Sequence, residues 1–332
     1  MKLLFFFKKI FIVTFIFIFA FELFSLIGSK LNLLVFNSDP VYFGKTFAGN
    51  DSKYTDPLIG PWHKINTTSR HKSNCFDVNY QFNNIGARDD KDYKESTFDN
   101  SIIVLGDSFP FGHGLNIENT FSKIIENELD NKVINLSVSG TSPIDYSKRF
   151  KYFSKQKNYS EIVYFFLPQN DFVFEDTTKN VNKDNKNYNY YQSLKNILSK
   201  FTYSFNTLAT IKFIYFNKDK TYDNFSYNIN ERELIDKTNI FIEEVMKVQN
   251  KKKTLVLIPT RKDFQNIDKN KKYKELYWYM EIKKMSDKYN FKIIDLYDVF
   301  KVEEQFRYYH KCDGHWNAYG AKITAQYFLD NR

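Results

Sequence analysis

The chain is predicted to fold as a three-layer α/β/α sandwich around a central, mostly parallel, five-stranded sheet. From Ser101 onward, short apolar segments alternate with segments of helical periodicity. The apolar segments are hydrophobic at almost every position, which is typical of parallel strands that are buried on both faces. Each parallel connection also requires a crossover, and the intervening helices supply it. Together these observations predict an α/β class.

The strands and helices of this sandwich can be placed in chain order. The five predicted strands are Ile102–Leu105, 132–136, 161–167, 254–259 and 292–296. The predicted helices are 118–129, 142–155, 231–251, 272–289 and 318–329. The helix that begins at Ser142 has a suitable capping side chain and a proline in its first turn, and both features favour a helix start.

The N-terminal segment is predicted to anchor the chain in a membrane. Residues 1–9 carry three lysines and precede an apolar run over 10–27, which lies in a predicted signal anchor over 10–28. Eighteen helical residues rise about 27 Å, close to a hydrocarbon core of about 30 Å. The end of the run lacks an Ala-x-Ala-like cleavage signal, which favours an uncleaved signal anchor over a cleaved signal peptide. Lysines ahead of the run predict a cytoplasmic N-terminus and a body in the periplasm or outside the cell.

Two further regions lie outside the alternating pattern. Residues 29–100 are polar and are predicted to form a juxtamembrane extension packed on the α/β domain, with a strand at Phe76–Phe82. The α/β domain itself is predicted to span 101–332. Within it, about 175–230 is rich in Asn, Lys and Tyr, with a weak helical pattern near 194–205. Plain loops are rarely so long, so this segment is interpreted as an insertion.

The composition is biased and excludes several classes of site. The chain has 35 Phe, 24 Tyr and a net charge of +9, with lysines dispersed among acidic residues and asparagines. A solvated, compositionally biased surface is favoured over a nucleic-acid or anionic-lipid surface, so no nucleic-acid partner is expected. The glycine-rich stretch after the first strand lacks the phosphate-loop pattern. No cofactor and no metal are predicted, and the oligomeric state is left open.

Polar residues follow three of the predicted strands at the point where each strand ends. Gly106, Asp107 and Ser108 follow the first strand, Gly140 follows the second, and Asn170 follows the third. Ligands of open parallel sheets bind beyond the carboxyl ends of the strands. Taken singly, each residue also fits an ordinary turn or cap. The set as a whole predicts a site at this edge.

A histidine and an aspartate near the C-terminus complete a candidate for serine acyl transfer, which needs a nucleophile, a base and an orienting group. Asp313 and His315 lie two apart before the last helix. In an extended loop such side chains point the same way, so the carboxylate can reach the imidazole. A turn with a loop histidine is the alternative for this pair alone. His113 is a rival base, five residues after Ser108, but no acid is evidently placed to orient it.

These motifs resemble the conserved blocks of the SGNH or GDSL-type hydrolases over about 101–332. The matching residues are Gly106, Asp107, Ser108, Gly140, Asn170, Asp171, Asp313 and His315. The resemblance implies that Ser108 is the nucleophile, His315 the general base and Asp313 the residue that holds it. It also implies an oxyanion hole made by the N–H groups of Ser108 and Gly140 and by the side chain of Asn170.

Three other residues are expected to support this site. An Asn-x-x-Gly-x-Arg stretch over 83–88 is similar to one found ahead of the nucleophile in exported members of the family. Arg88 is expected to brace a loop, with binding of an anionic substrate group as the alternative. Asp107 and His113 are expected to lie beside the reacting groups. Two departures from the family pattern, Pro-Gln-Asn-Asp in the third block and Asp-x-His in the last, leave the reacting groups in place.

Together with the predicted membrane anchor, the resemblance implies a serine esterase that hydrolyses a short, acetyl-like acyl ester in the cell envelope through an acyl-enzyme. Its substrate would be a small-molecule or polysaccharide ester. An O-acetyltransferase that modifies envelope polysaccharide with the same residues is one alternative, and a non-catalytic scaffold is another.

The only two cysteines, Cys75 and Cys312, both fall in the part predicted to be exported. An even pair in an oxidising compartment is compatible with a disulfide, and two unrelated thiols are the equal alternative. A bond between them would tie the extension to the loop that carries Asp313 and His315.

Overall fold

A computed structural model describes most of the chain, and α1 is its first element. The described residues are 2–31, 33, 53–73, 76–172, 190–216, 231–260, 263, 273–300, 305–310 and 313–332. Helix α1 covers Lys2–Lys30. Its segment Phe5–Lys30, with a mean hydropathy of 2.7, is long and apolar enough for a membrane span, and a signal sequence would have the same properties.

The region before the central sheet folds as two antiparallel hairpins. Strand β1 (Lys53–Asp56) pairs with β2 (Gly60–His63), and β3 (Thr67–Ser73) pairs with β4 (Phe76–Phe82). Strand β4 has the bounds that the sequence predicts, because its apolar residues alternate and only one of its faces is buried. Trp62 of β2 is buried in the same core cluster as residues of the central sheet, so this hairpin packs on the α/β body.

The central sheet has five strands, and every neighbouring pair is parallel. The strands are β5 (Ile102–Leu105), β6 (Val133–Asn135), β7 (Glu161–Phe166), β8 (Lys252–Leu257) and β9 (Lys292–Asp295). Their order across the sheet is β6-β5-β7-β8-β9. Every residue of β5 and β7 is buried, as expected for central strands covered on both faces. The predicted fold class is confirmed.

Helices cover both faces of this sheet. In chain order after α1, the helices of the described residues are α2 (Ser108–Phe111), α3 (Phe121–Leu129), α4 (Pro143–Phe153), α5 (Pro168–Asp171), α6 (Tyr190–Phe201), α7 (Tyr203–Phe216), α8 (Arg232–Met246), α9 (Tyr277–Tyr289), α10 (Gln305–Tyr308) and α11 (Ala318–Asn331). Ile103 and Leu105 pack with α4, α8 and α9, whereas Ile102 and Val104 pack with α3 and α11. The alternation of β5 therefore separates two cores, one on each side of the sheet.

Some element bounds differ from the prediction for local reasons. The helix predicted over 118–129 begins at Phe121, because Thr120 caps it by accepting a hydrogen bond from the backbone N–H of Lys123. The helix predicted over 231–251 ends at Met246, whose carbonyl accepts from Lys253 Nζ at 2.9 Å. The weak helical pattern near 194–205 corresponds to two helices, α6 and α7, which are separated at Thr202.

Candidate active site

The turn after β5 places Ser108 at the start of α2. Asp107 caps this helix, and its carboxylate accepts a hydrogen bond from the Phe109 N–H at 3.1 Å. The first N–H groups of a helix have no partner within it, so the Ser108 N–H can serve an external acceptor. Gly106 allows the turn because a Cβ at this position would lie 2.5 Å from Pro110 Cγ and 2.9 Å from Phe165 Cβ.

Ser108, His315 and Asp313 form a continuous hydrogen-bonded chain. His315 Nε2 lies 2.7 Å from Ser108 Oγ, and His315 Nδ1 bonds to Asp313 Oδ1. Burial would raise the pKa of Asp313, but the hydrogen bonds and charge of His315 outweigh it and hold that pKa below its usual range. An ionised carboxylate can only accept, so Nδ1 carries the proton and Nε2 accepts from the serine hydroxyl. This tautomer is the one a general base requires.

His113 lies directly against this chain. Its ring stacks on that of His315 at a centroid distance of 4.0 Å, and its Nε2 lies 3.8 Å from Asp313 Oδ2. The sequence interpretation placed no acid beside His113, and the structure corrects this because the loop of Asp313 folds back over the turn after β5. Burial and the neighbouring charge of His315 lower the pKa of His113 well below its usual value. His113 is therefore a neutral ring beside His315.

Two more histidines, which the sequence reasoning did not assign to the site, surround His113. The His71 ring meets His113 edge-on at 4.6 Å, and its Nδ1 lies 2.7 Å from the Tyr80 hydroxyl. That hydroxyl also accepts from the Gly114 N–H at 2.8 Å. Burial lowers the pKa of His71 to about 4 and that of His310 below its usual value. The alternation of β3 and β4 indicates the face of His71, but nothing in the sequence connects that hairpin with the turn after β5.

His113, Asp313 and His315 form the one group among the described residues whose ligand atoms lie close enough together to hold a metal ion. The ligand atoms of His113, Asp313 and His315 lie within 4.8 Å of one another. Both ring nitrogens of His315 already bond, one to Asp313 and one to Ser108. A metal bound here would compete with the proton-transfer chain. The expectation of no metal stays a prediction.

Gly140 lies in an open turn beside His113, whose ring stacks on that of His315. It has a φ of +73°, in the left-handed region, and a Cβ there would meet nothing within 4 Å. The preceding residue connects the turn to its surroundings, since Ser139 Oγ lies 3.5 Å from His113 Nδ1 and the Ser139 carbonyl accepts from Lys53 Nζ at 2.5 Å. Lys53 was not identified from the sequence, because it belongs to the distant β1 strand.

Asn170 lies in α5 and is tied to the turn of the nucleophile. Its Nδ2 donates to Asp107 Oδ2 at 3.3 Å. Pro168, which departs from the family pattern, is the first residue of α5, and proline suits that position because no backbone N–H is needed there. The substitution therefore leaves Asn170 in its place beside Asp107.

The buried carboxylates of Asp107 and Asp171 hold the turns after β5 and β7 through hydrogen bonds to backbone N–H groups. Asp171 accepts from the Leu167 N–H at 2.8 Å and from the Tyr146 hydroxyl at 2.9 Å. Burial, together with the neighbouring Asp107, raises the pKa of Asp171 well above its usual value, and burial also raises that of Asp107. The two acids join the ends of β5 and β7 beneath the candidate site.

Arg88 is buried behind the turn of the nucleophile. Its guanidinium donates to the carbonyls of Phe111 at 2.7 Å, Gly112 at 2.5 Å and Leu115 at 2.5 Å. It also lies over the Tyr80 ring, 4.2 Å from the centroid. Burial lowers its pKa to about 10, so it is still charged near neutral pH. These contacts hold the loop that follows α2.

Comparisons with known proteins give only remote likenesses. No family model and no curated protein matches the chain. It is similar to the esterase EstA from Pseudoalteromonas sp. (13% identity, 70% of this chain and 96% of that chain, TM-score 0.39). It is also similar to a lipolytic protein of the G-D-S-L family from Veillonella parvula (15% identity, 70% and 97%, TM-score 0.39). A third is a lipase/acylhydrolase from Enterococcus faecalis (14% identity, 69% and 94%, TM-score 0.41).

Identity and structural similarity are both low, so the assignment of function depends on the geometry around Ser108. Cys75 and Cys312 lie outside the described residues, and the pairing of these two thiols stays a prediction.

Proposed function

We propose that this protein is a serine esterase of the SGNH type. The observation that carries the proposal is the chain from Ser108 Oγ to His315 Nε2, at 2.7 Å, and on to Asp313. A serine hydroxyl is a weak nucleophile until a positioned base accepts its proton, and this arrangement supplies the base together with the acid that orients it.

The reaction would proceed through two transfers of the acyl group. Ser108 Oγ attacks the ester carbonyl while its proton moves to His315 Nε2. The tetrahedral intermediate collapses, the C–O bond to the alcohol breaks, and His315 returns the proton to the departing alcohol. Water then attacks the acyl-serine and gives its proton to His315; the bond between the acyl carbon and Ser108 Oγ breaks, His315 returns the proton to Oγ, and the carboxylic acid is released.

The oxyanion of each intermediate would be bound by three donors. These are the N–H of Ser108 at the start of α2, the N–H of Gly140 and the second Nδ2 proton of Asn170, whose first proton is directed to Asp107. Preorganised donors of this kind stabilise the charge that develops in the transition state. The open space around Gly140 supports this role, since it leaves room for an acyl group.

We further propose that the enzyme is anchored by α1, with its N-terminus in the cytoplasm and its catalytic domain in the periplasm or outside the cell. The support is the length and apolarity of α1 and the lysines ahead of its apolar run. In that compartment Cys75 and Cys312 would form a disulfide. Counting thiols under denaturing conditions tests this, and two free thiols in protein recovered from the envelope would contradict it.

The test of the esterase activity is Ser108→Ala, with Ser122→Ala as a matched control in a buried serine of α3. We expect Ser108→Ala to abolish hydrolysis of a short acyl ester and labelling by a fluorophosphonate, with an unchanged circular dichroism spectrum. Ser122→Ala should keep both reactions. Full activity in Ser108→Ala would overturn the proposal. A panel of acyl chain lengths, assayed on the wild type, tests the preference for acetyl-like esters.

A further inference from the structure

The apolar helix α1 contains a carboxylate that is bound by another helix. Glu22 Oε1 accepts from the Tyr203 N–H at 2.6 Å, and its Oε2 accepts from the Ser204 N–H at 2.9 Å. These are the first N–H groups of α7, which have no partner within that helix, and negative charge is favourable at this end. An acid at membrane depth is unfavourable unless it has such partners. Glu22 therefore marks a built contact between α1 and α7.

Small residues of α1 extend this contact toward its C-terminal end. Ser25 and Ser29 follow Glu22 by three and seven positions, so they share its face of the helix, and they are only 0% and 4% exposed. Tyr203 and Thr207 of α7 are buried as well. Small side chains allow two helices to approach closely, which is typical of helix contacts in membranes.

The rest of the α6–α7 pair presents apolar side chains outward. Leu208 is 56% exposed and Ile211 is 41% exposed in α7, and α6 adds exposed Leu194, Ile197 and Phe201. Helix α1 likewise exposes most of its apolar side chains. The sequences of α6 and α7 contain three lysines and no acid, which suits anionic headgroups. Lysine stems are long enough to reach those headgroups from apolar surroundings.

We propose that α6 and α7 form an interfacial hairpin in the outer leaflet of the bilayer, bound to α1 through Glu22. The occupant of its outer face is the acyl-chain region of anionic phospholipid. Glu22 lies five residues before the end of the apolar run at Ile27, about 7–8 Å along the helix axis, which matches the depth of interfacial helices. The inference rests on the proposed membrane anchor. It also makes α1 a retained part of the fold, because its removal would leave the first N–H groups of α7 without Glu22.

Photocrosslinking of the full chain in vesicles of phosphatidylcholine and phosphatidylglycerol tests the hairpin. A photoactivatable residue is placed at Leu208, with Phe17 of α1 as the positive control. The negative control is Ile240, which is 55% exposed on α8. We expect lipid adducts at Leu208 and Phe17 and none at Ile240. Adducts at Phe17 without adducts at Leu208 would overturn the hairpin, and the absence of both would overturn the anchor as well.

Substitution of Glu22 sharpens this test. Glu22→Ala should remove the adduct at Leu208 and retain the one at Phe17, whereas Glu22→Gln keeps an acceptor and should retain both. Unchanged labelling at Leu208 in Glu22→Ala would contradict the proposed contact. Adduct formation does not depend on ester hydrolysis, so loss of the esterase proposal would leave this result unaffected.

A different observation concerns the turn of Gly140. Lys53 Nζ donates to the Ser139 carbonyl at 2.5 Å, and the peptide that follows is trans. In a trans peptide the C=O and N–H point in opposite directions, so the Gly140 N–H is directed away from Lys53. A Cβ on Gly140 would meet nothing within 4 Å, so packing around that position does not fix the turn. Burial and the charge of Arg149 lower the pKa of Lys53 to about 8, so the ammonium is present near neutral pH.

We infer that Lys53 is a positioning residue for the oxyanion donor at Gly140, an inference that rests on the proposed esterase function. A charge-assisted hydrogen bond is stronger than a neutral one, and here it sets the plane of the peptide. Lys53 itself would not touch the substrate. Its removal should weaken transition-state binding and leave ground-state binding nearly unchanged.

The test is Lys53→Met, with Lys251→Met as a matched control. Lys251 also donates to a backbone carbonyl, that of Tyr159, but at the end of the sheet where β7 and β8 begin, opposite to the candidate site. We expect Lys53→Met to lower kcat about 10- to 100-fold with KM nearly unchanged, Lys53→Arg to restore part of it, and Lys251→Met to have no effect. A kcat within twofold of wild type, or an equal loss in Lys251→Met, would overturn the role. Continued fluorophosphonate labelling of Ser108 would separate that outcome from failure of the esterase proposal.

Discussion

The two turns that border the candidate site differ in how tightly they are packed. A Cβ on Gly106, Gly112 or Gly114 would come within 2.5, 2.6 or 2.8 Å of another atom. At Gly140 a Cβ would meet nothing within 4 Å. The turn of the nucleophile is thus enclosed by the protein itself, whereas the turn after β6 faces open space.

This difference separates two requirements of acyl transfer. In the proposed mechanism the nucleophile and base must be held in one geometry before the substrate arrives, and Arg88 and the ring of His113 stacked on His315 restrain Ser108 and His315. The oxyanion turn must keep room for the acyl group, so it cannot be restrained by packing from the substrate side. A hydrogen bond from behind, such as that of Lys53, restrains such a turn without filling the site.

The largest effect should come from the triad on the enclosed side. We expect Asp313→Asn and His315→Ala each to lower kcat/KM by about 10⁴-fold, because an asparagine favours the wrong tautomer of His315 and an alanine removes the base. Steady-state kinetics on a short ester would measure this. A loss below tenfold in His315→Ala would show that His113, stacked beside it, can serve as the base.

The comparison of the two turns can be tested with glycine substitutions. Gly112→Ala places a methyl group 2.6 Å from Thr120 Cγ2 and 2.7 Å from Arg88 Nη1 at a φ of +85°, so strain and overpacking add. We expect it to lower the free energy of unfolding by about 2–4 kcal/mol. Gly140→Ala adds only backbone strain, about 1 kcal/mol. Urea unfolding would distinguish them, and equal losses would contradict the difference in packing.

A smaller change in the free energy of unfolding is expected when the pH is lowered. The pKa of His71 is about 4 in the folded protein and about 6.5 in the unfolded chain. Between these values the unfolded state binds more protons, so the free energy of unfolding should fall as the pH is lowered from 6.5 to 4. In His71→Gln, the difference in bound protons between the unfolded and folded states should fall by up to one, which makes the dependence on pH less steep. Urea titrations at several pH values would measure the slope, and an unchanged slope would show that His71 is not buried in its neutral form.

The sequence predicts the central sheet well because its information is local. The strand at Ile102–Leu105 agrees to the residue, since an unbroken apolar run bounded by polar residues can form little else at that length. Prediction is poorest in the insertion, where α7 contacts α1. The apolar residues of α7 surround the helix with no periodic stripe, so the sequence there does not show which face has a partner.

The candidate site likewise has one part that the sequence predicts and another that it does not. The order of the strands and helices can be read from the sequence, because spacing and strand ends are properties of the chain. The same holds for the residue types proposed for acyl transfer, Ser108, Asn170, Asp313 and His315. The sequence also predicts that Arg88 braces a loop, but which loop it holds, and that Lys53 binds the turn before Gly140, follow only from the folded arrangement. The folded arrangement alone also brought His71 and His310 around His113. These contacts join segments distant in the chain, and no local pattern specifies them.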